Sequence, residues 1–263
     1  MFYWIYDLPT WQLGAIFAVL FVGTTWLGIL FVSPLLKLWF RSQEGINDLV
    51  GYALGAFGVF YGLLLGLLAV ATYQNSSDVQ SKVGKEAAAL AALYRDVYAY
   101  PEPLRSDLHG RLREYGKFVI DVSWPAQRQG KIAPGSFRMM NEFQAVMTRF
   151  EPATKGQEII HAETLRQFTE MISLRRERVD SVGTGIPPIM WYVVGVGAAI
   201  NTLLILSFRM RFDIHLVIGG VLSFFVGVVI FLIAAMDHPF RGEVSVGPEP
   251  FIALFESLKH EHE

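Results

Sequence analysis

Four long stretches of the chain contain no charged side chain. These stretches are 23 to 29 residues long, and they lie between Asp7 and Lys37, Asp48 and Asp78, Asp180 and Arg209, and Asp213 and Asp237. A helix of about 20 apolar residues is long enough to cross the hydrocarbon core of a bilayer. The pattern therefore predicts four transmembrane helices, over about 12–36, 49–73, 187–208 and 214–236.

A different pattern fills the segment between the second and third predicted membrane helices. Its apolar residues recur every three or four positions, which is typical of amphipathic helices with one buried face. Four such stripes lie within 83–97, 108–122, 137–150 and 165–179. Proline and glycine residues separate the stripes. We therefore expect an all-α fold, with an extramembrane helical bundle inserted between two pairs of membrane helices.

The predicted domain boundaries follow from these patterns. Residues 1–73 hold the first membrane pair, 74–185 the bundle, 186–236 the second membrane pair and 237–263 a C-terminal tail. Apolar residues from Phe251 to Leu258 predict a short amphipathic helix that packs on the bundle. The connections 37–48 and 209–213 are too short for domains. Both termini and the bundle are therefore expected on one side of the membrane.

Composition supports a membrane protein and argues against a soluble globule. The 263 residues are 52% apolar and 17% charged, with a mean hydropathy of +0.37, whereas about 25% of residues are charged in ordinary soluble domains. The formal net charge of −2 gives no reason to expect a nucleic-acid partner. Because the chain has no cysteine, disulfides and thiolate metal sites are excluded.

Basic residues give conflicting indications of membrane orientation. The bases of the short connections, among them Lys37 and Arg209, place those connections in the cytoplasm under the positive-inside rule. Six bases on the bundle side favour the opposite arrangement: Lys82, Lys85, Arg166, Arg175, Arg176 and Arg178. Charge alone leaves both orientations open.

The usual catalytic signatures are missing from the sequence. It has no GxxxxGK[ST] phosphate loop, no HExxH zinc helix and no GxSxG nucleophile elbow. His161 and Glu163 lie on a predicted amphipathic helix without a second histidine in register. His260 and His262 lie in the polar C-terminal tail. We therefore expect no enzyme activity, no cofactor and no metal site.

The second predicted membrane helix carries a stripe of glycines. Gly51, Gly55, Gly58, Gly62 and Gly66 are spaced by 4, 3, 4 and 4 residues, so all five fall on one helix face. Small residues let membrane helices approach closely. The face either packs against another helix of the same chain, or it lines an axis between subunits of a ring-shaped homo-oligomer, as part of a pore wall.

Polar residues stand at both ends of this helix. Asn47 and Asp48 precede it, and Asn75 and Asp78 follow it. In a ring of subunits these residues would repeat around the pore mouths, where rings of carboxylates concentrate cations. Helix capping is the alternative role, because Asp48 is well placed for the positive end of the helix dipole. The two roles are compatible.

Asn201 and Thr202 are polar residues within the third predicted span. A buried asparagine in lipid needs a hydrogen-bond partner, so this pair predicts either a structural bond between helices or part of a polar pathway. No Asp, Glu, Lys or Arg lies in the middle of any predicted span. A proton-coupled transporter usually needs such a residue, whereas a passive pore does not.

The segment that follows the fourth span contains a candidate latch between the bundle and the membrane helices. Pro239 ends the helix, and Asp237 can pair with Arg241, or with Arg176 or Arg178 of the bundle. An ordinary ion pair at the domain boundary is the alternative role for the same residues.

Several of these segments resemble one bacterial membrane family. They are Phe60-Tyr-Gly-Leu-Leu-Leu-Gly66 with Gln74-Asn-Ser, Glu86-Ala-Ala-Ala-Leu with Leu93-Tyr-Arg-Asp96, Tyr100-Pro-Glu-Pro, Arg175-Arg176, and Met236-Asp-His-Pro-Phe-Arg-Gly242. From about Gly45 to Phe251 the chain is similar to the family labelled bestrophin-like domain. Bestrophins are ring-shaped oligomeric channels with four membrane helices, a pore-lining second helix and a large cytoplasmic helical part.

The resemblance implies a homo-oligomeric channel of the bacterial inner membrane, with a cytoplasmic bundle. The sequence lacks a recognisable hydrophobic neck and the acidic calcium clasp of animal bestrophins. The leading hypothesis is passive ion conduction along an axis lined by the glycine-rich helix, and the permeant ion is left open. The alternative is a non-conducting membrane-anchored sensor or scaffold whose bundle binds a partner protein. A stator-type ring is a third hypothesis. The lipid bilayer and further copies of the chain are the expected partners.

Overall fold

The computed structural model of the chain describes residues 3–39 and 45–260. Within these residues the regular structure is helical throughout, which confirms the predicted all-α fold. The α-helices of the described residues are α1 (Thr10–Phe31), α2 (Ser33–Trp39), α3 (Ile46–Asp96), α4 (Leu104–Phe118), α5 (Trp124–Arg128), α6 (Ser136–Met147), α7 (Lys155–Asp180), α8 (Pro188–Leu206), α9 (Phe212–Met236) and α10 (Glu249–His260).

Four apolar segments of the described residues are long enough to cross a membrane, as the sequence predicts. They are α1, the first part of α3, α8 and α9. The first predicted helix, 12–36, is shorter in the structure because α1 ends at Phe31 and a separate helix, α2, begins at Ser33. Pro34 lies in the first turn of α2, where a missing backbone N–H leaves no helical bond unmade.

The second predicted membrane helix and the first bundle stripe belong to one helix. α3 runs for 51 residues from Ile46 to Asp96 without interruption. The polar run from Gln74 to Asp78 contains neither glycine nor proline, so nothing in it breaks the backbone hydrogen bonds. The other stripes lie in α4 with the π-helical turn Val119–Ser123, in α6, and in α7.

The described residues form two compact units. The membrane unit contains the described residues up to Gln74 together with Gly185–Asp237 and Gly242–Val244. The bundle unit contains Asn75–Thr184, His238–Arg241 and the described residues from Ser245 onward.

Close helix packing holds the membrane unit together. On α1, Thr25 Oγ1 lies 2.6 Å from Ser223 Oγ of α9, in a buried pair. On α3, the Tyr61 hydroxyl donates to the Val194 carbonyl of α8 at 2.9 Å. The Tyr61 ring lies so close to Gly197 that a Cβ at that position would overlap it. The apolar core around these contacts includes Leu65, Leu68, Ile230 and Ile233.

The bundle unit has a larger apolar core. Fully buried members on α3, α4, α6 and α7 include Val83, Leu93, Leu112, Phe143 and Met171. Phe240 and Phe251 of the C-terminal tail belong to the same core. Thr154 caps α7, because its hydroxyl accepts the backbone N–H of Gln157 at 3.2 Å.

The contact between Gly197 and Tyr61 gives a direct test of helix packing in the membrane unit. We expect Gly197→Ala to destabilise the protein by about 1–3 kcal/mol, because the added methyl group forces the Tyr61 ring to move. Gly195→Ala is the matched control on the same helix, since a Cβ there meets no atom within 4 Å. Thermal unfolding in detergent compares the two variants, and equal melting temperatures would contradict the packing described.

Candidate functional site

The five glycines of α3 form an open face in the membrane unit. A Cβ added at Gly51, Gly55, Gly58, Gly62 or Gly66 would meet no atom within 4 Å among the described residues. The neighbouring face of α3, with Tyr61, Leu65 and Leu68, packs in the core instead. The structure therefore gives the glycine face no packing partner within the described part of the chain.

A groove of about 530 Å³ lies beside this face. Gly58, Gly62 and Gly66 form one side, and apolar residues of α9 form the other. Asn201 of α8 also lines the groove. The remaining lining residues are Leu54, Tyr61, Leu65, Leu222, Phe225, Val226 and Val229. The groove is thus almost entirely apolar.

The proposed pore-mouth residues that precede the glycine stripe have different roles. Asn47 forms two hydrogen bonds with the backbone of Arg209, because its Nδ2 donates to the carbonyl at 2.7 Å and its Oδ1 accepts the N–H at 2.8 Å. This pair ties the start of α3 to the turn between α8 and α9. Asp48 lies in the first turn of α3 and is exposed, so it is placed to interact favourably with the helix dipole.

The two residues that follow the glycine stripe lie inside α3 and not at its end. Asn75 Nδ2 donates to Thr184 Oγ1 at 3.5 Å, within the bundle unit. Asp78 is exposed. Of the four predicted mouth residues, the two carboxylates therefore keep free surface, while the two amides take part in hydrogen bonds.

Two residues of the predicted latch form hydrogen bonds within their own units. Asp237 accepts hydrogen bonds from the Ile186 backbone N–H and from Trp191 Nε1, both in the membrane unit. Arg241 Nη2 donates to the Gln129 carbonyl at 2.7 Å, in the bundle unit. Arg176 is exposed.

Arg178, which the sequence offers as a partner for Asp237, instead lies in the core of the bundle unit. Its side chain is buried and forms a two-point ion pair with Glu86, with Nε to Oε2 at 2.5 Å and Nη2 to Oε1 at 3.1 Å. Tyr115 donates its hydroxyl to Glu86 Oε1 at 2.8 Å. The guanidinium carbon lies 5.4 Å from the centre of the Trp124 ring, which adds a cation–π contact.

Burial and charge act in opposite directions within this network. Burial by itself would lower the pKa of the Arg178 guanidinium, but the charge of Glu86 and its hydrogen bonds raise that pKa above its ordinary value. Burial and the negative charge of Glu86 raise the pKa of the Tyr115 hydroxyl. Both groups therefore keep their protons, and Arg178 remains a cation that neutralises the buried carboxylate.

Among the described residues, no three His, Asp or Glu side chains come together as a possible metal site. His161 Nδ1 lies 2.7 Å from the Tyr100 hydroxyl, inside the bundle unit. Burial lowers the pKa of His161, which favours its neutral form.

Comparison with known families identifies the chain. The sequence model described as Bestrophin-like domain matches residues 19–251, which is most of the sequence. The chain belongs to the Bestrophin-like domain family. The resemblance noted from the sequence is confirmed. No curated protein matches the chain at a significant level.

Solved structures of similar fold include bacterial bestrophin homologues from Klebsiella pneumoniae. One, carrying a point mutation, aligns with a TM-score of 0.66 at 12% identity, over 92% of this chain and 96% of the other. Another, phased with zinc, gives a TM-score of 0.64 at 14% identity, over 93% and 95% of the two chains. At these identities the likeness establishes a shared fold for the bestrophin-like chain.

Sequence reasoning did not pair Arg178 of this bestrophin-like chain with Glu86, or Glu86 with Tyr115. The position of Glu86 along its helix could have indicated that its side chain is buried. Glu86 lies three residues after Val83 and four before Leu90, so it falls on the buried stripe of its helix. Tyr115 lies within the apolar stripe 108–122, and its hydroxyl donates to the Glu86 carboxylate. A charged residue on a buried helix face predicts a buried partner of opposite charge.

The buried ion pair makes the bundle unit sensitive to loss of one charge. We expect Glu86→Ala to lower the free energy of unfolding by about 3–5 kcal/mol, because Arg178 is left buried and unpaired. Tyr115→Phe removes one hydrogen bond and should cost about 1 kcal/mol. Thermal or denaturant unfolding of the purified protein measures both.

Glu142→Ala is the control for that experiment. Its carboxylate lies 3.8 Å from Arg111 and 3.7 Å from Arg138 on the exposed surface, where an ion pair contributes about 0–1 kcal/mol. A Glu86→Ala variant as stable as Glu142→Ala would show that the buried pair does not hold the bundle unit together.

Proposed function

We propose that this bestrophin-like protein is a homo-oligomeric ion channel of the bacterial inner membrane, in which ions move passively along an axis bordered by the glycine face of α3. Membership of the Bestrophin-like domain family and the fold of bacterial bestrophin homologues support the assignment. The open glycine face is the observation that carries it.

The energetic cost of the glycines indicates a role outside the single chain. Each glycine in a helix interior is less favourable than alanine by about 1 kcal/mol in water. Where the chain uses glycine for internal packing, a neighbouring side chain fills the space, as Leu206 does at Gly28 and Tyr61 does at Gly197. The five glycines of α3 have no such neighbour, so their smooth surface is available to other copies and to a shared path.

Charge placement in the described spans is consistent with passive conduction. No Asp, Glu, Lys or Arg lies in the middle of the apolar segments of α1, α3, α8 or α9. Carboxylates lie toward the ends, where Asp48 and Asp78 are exposed. We assign these two residues to the pore mouths, and we assign Asn47 and Asn75 to holding the same segments in place through their hydrogen bonds.

The bundle is proposed to lie in the cytoplasm and to form a vestibule for the channel. Asp237, through its bonds to Ile186 and Trp191, fixes the chain where α9 ends. We assign Arg241 to the same proposed latch, because it follows Asp237 closely in the chain and bonds to the Gln129 carbonyl in the bundle unit. Arg178 contributes through the stability of the bundle core, and exposed Arg176 is available for contact.

Reconstitution tests the proposal directly. The purified full-length protein in planar bilayers should give unitary currents, and native mass spectrometry should give a multiple of the protomer mass. A protein that stays monomeric, or that is silent across voltage, pH and calcium conditions, would refute the channel. Co-purification of a stoichiometric partner protein without ion flux would favour the scaffold.

A substitution in the glycine face tests the position of the path. We expect Gly62→Leu to reduce unitary conductance severalfold or to prevent oligomer formation, because a large side chain would enter the shared axis. Melting temperature of the solubilised protomer should change little, since nothing within the described residues occupies that space.

Gly84→Leu is the matched control on the same helix. A Cβ at Gly84 also meets nothing within 4 Å, but Gly84 lies in the bundle unit and outside the apolar span. Wild-type conductance in both variants would place the path away from this face of α3.

A further inference from the structure

The side-chain amide of Asn201 is unpaired inside the membrane unit. Only 8% of the residue is exposed, and in the part of the chain that the structure describes its amide makes no hydrogen bond. The adjacent Thr202 is satisfied, because its hydroxyl donates to the Ala198 carbonyl at 2.9 Å. Asn201 thus differs from its neighbour in needing a partner from outside the chain.

The position of this amide connects it to the glycine face. Asn201 lines the groove of about 530 Å³ together with Gly58, Gly62 and Gly66. The other polar group of the lining, the Tyr61 hydroxyl, already donates to the Val194 carbonyl. The Asn201 amide is therefore the one available hydrogen-bonding side chain among the described residues that line this groove.

Hydrocarbon cannot satisfy that amide, because lipid tails offer neither donors nor acceptors. The exposed side of α3 in another copy of the chain also lacks hydrogen-bonding side chains at Val59, Phe60 and Leu63, which are apolar and 70%, 74% and 60% exposed. Water can both form hydrogen bonds with the amide and fit into the groove. The groove has room for on the order of ten water molecules, and an amide binds them through two N–H donors and a carbonyl acceptor.

We propose that Asn201 is the polar contact point of the conduction path, where its amide keeps the glycine-lined groove wet and touches the passing ion. This inference rests on the proposed channel function. The carbonyl oxygen can face a cation and the amino group an anion, so the residue influences selectivity without a fixed charge. Replacing it with an apolar side chain leaves only the already bonded Tyr61 hydroxyl as a polar group in the described lining, which favours dewetting.

Water access is tested with thiol chemistry, which the absence of native cysteine makes clean. In the reconstituted full-length protein, Asn201→Cys should react with a positively charged thiosulfonate reagent, because the reacting thiolate needs water. Leu203→Cys is the control on the same helix; Leu203 is 50% exposed in the protomer, and we expect a dry, lipid-facing thiol that does not react. Mass spectrometry counts the labelled protein without needing any current.

Single-channel recording tests the role of the amide in conduction. Asn201→Leu should lower unitary conductance at least threefold, and Asn201→Asp should shift the reversal potential in a KCl gradient toward that of K⁺. Thr202→Val is the matched control, since the Thr202 hydroxyl is already bonded within its helix, and it should conduct as wild type.

The outcomes separate this inference from the proposed function. A wild-type protein that conducts, with an unreactive Asn201→Cys or with unchanged currents in both Asn201 variants, would overturn the inference and leave the channel intact. A silent wild-type protein would overturn the channel, whatever the labelling shows. Loss of the oligomer in Asn201→Leu, measured by native mass spectrometry, would assign the amide to a contact between copies and also overturn the inference.

Discussion

The inability of hydrocarbon to form hydrogen bonds is the constraint on which the membrane unit depends. Every polar group in a span needs a partner from the protein or from water. Hydrogen bonds between spans meet part of this demand, such as those of Thr25 with Ser223 and of the Tyr61 hydroxyl with the Val194 carbonyl. Charged side chains are kept out of the middle of the described spans altogether.

The same constraint gives the glycines two different roles. Without a strong hydrophobic force between helices in lipid, close van der Waals packing has to hold the spans together, and Gly28 and Gly197 permit it by leaving room for Leu206 and Tyr61. The α3 glycines leave room that nothing in the described chain fills. A glycine with a side chain packed against it indicates internal packing, whereas a glycine with open space beside it indicates a surface available to other molecules.

Sequence patterns predicted the architecture well because charge and periodicity report on solvent. Long uncharged stretches identify the spans, and steps of three and four identify the bundle helices. Glycine spacing placed five residues on one face, but spacing alone could not tell a packed face from an open one. The sequence also could not predict the partner of Arg178. Arg178 pairs with Glu86, 92 positions away in the chain, and only the packing of the helices brings these residues together.

The two units bury polar groups of different kinds. The bundle unit buries a full ion pair and surrounds it with the hydroxyl of Tyr115 and the ring of Trp124, so each charge is compensated within the fold. A pair of this kind adds little net stability over apolar packing, but it penalises any arrangement that separates the charges. The membrane unit buries a neutral amide at Asn201 and leaves it uncompensated. The two charges of the buried ion pair meet within the bundle unit. The Asn201 amide instead lines the groove beside the glycines, where the proposed path would supply the missing water.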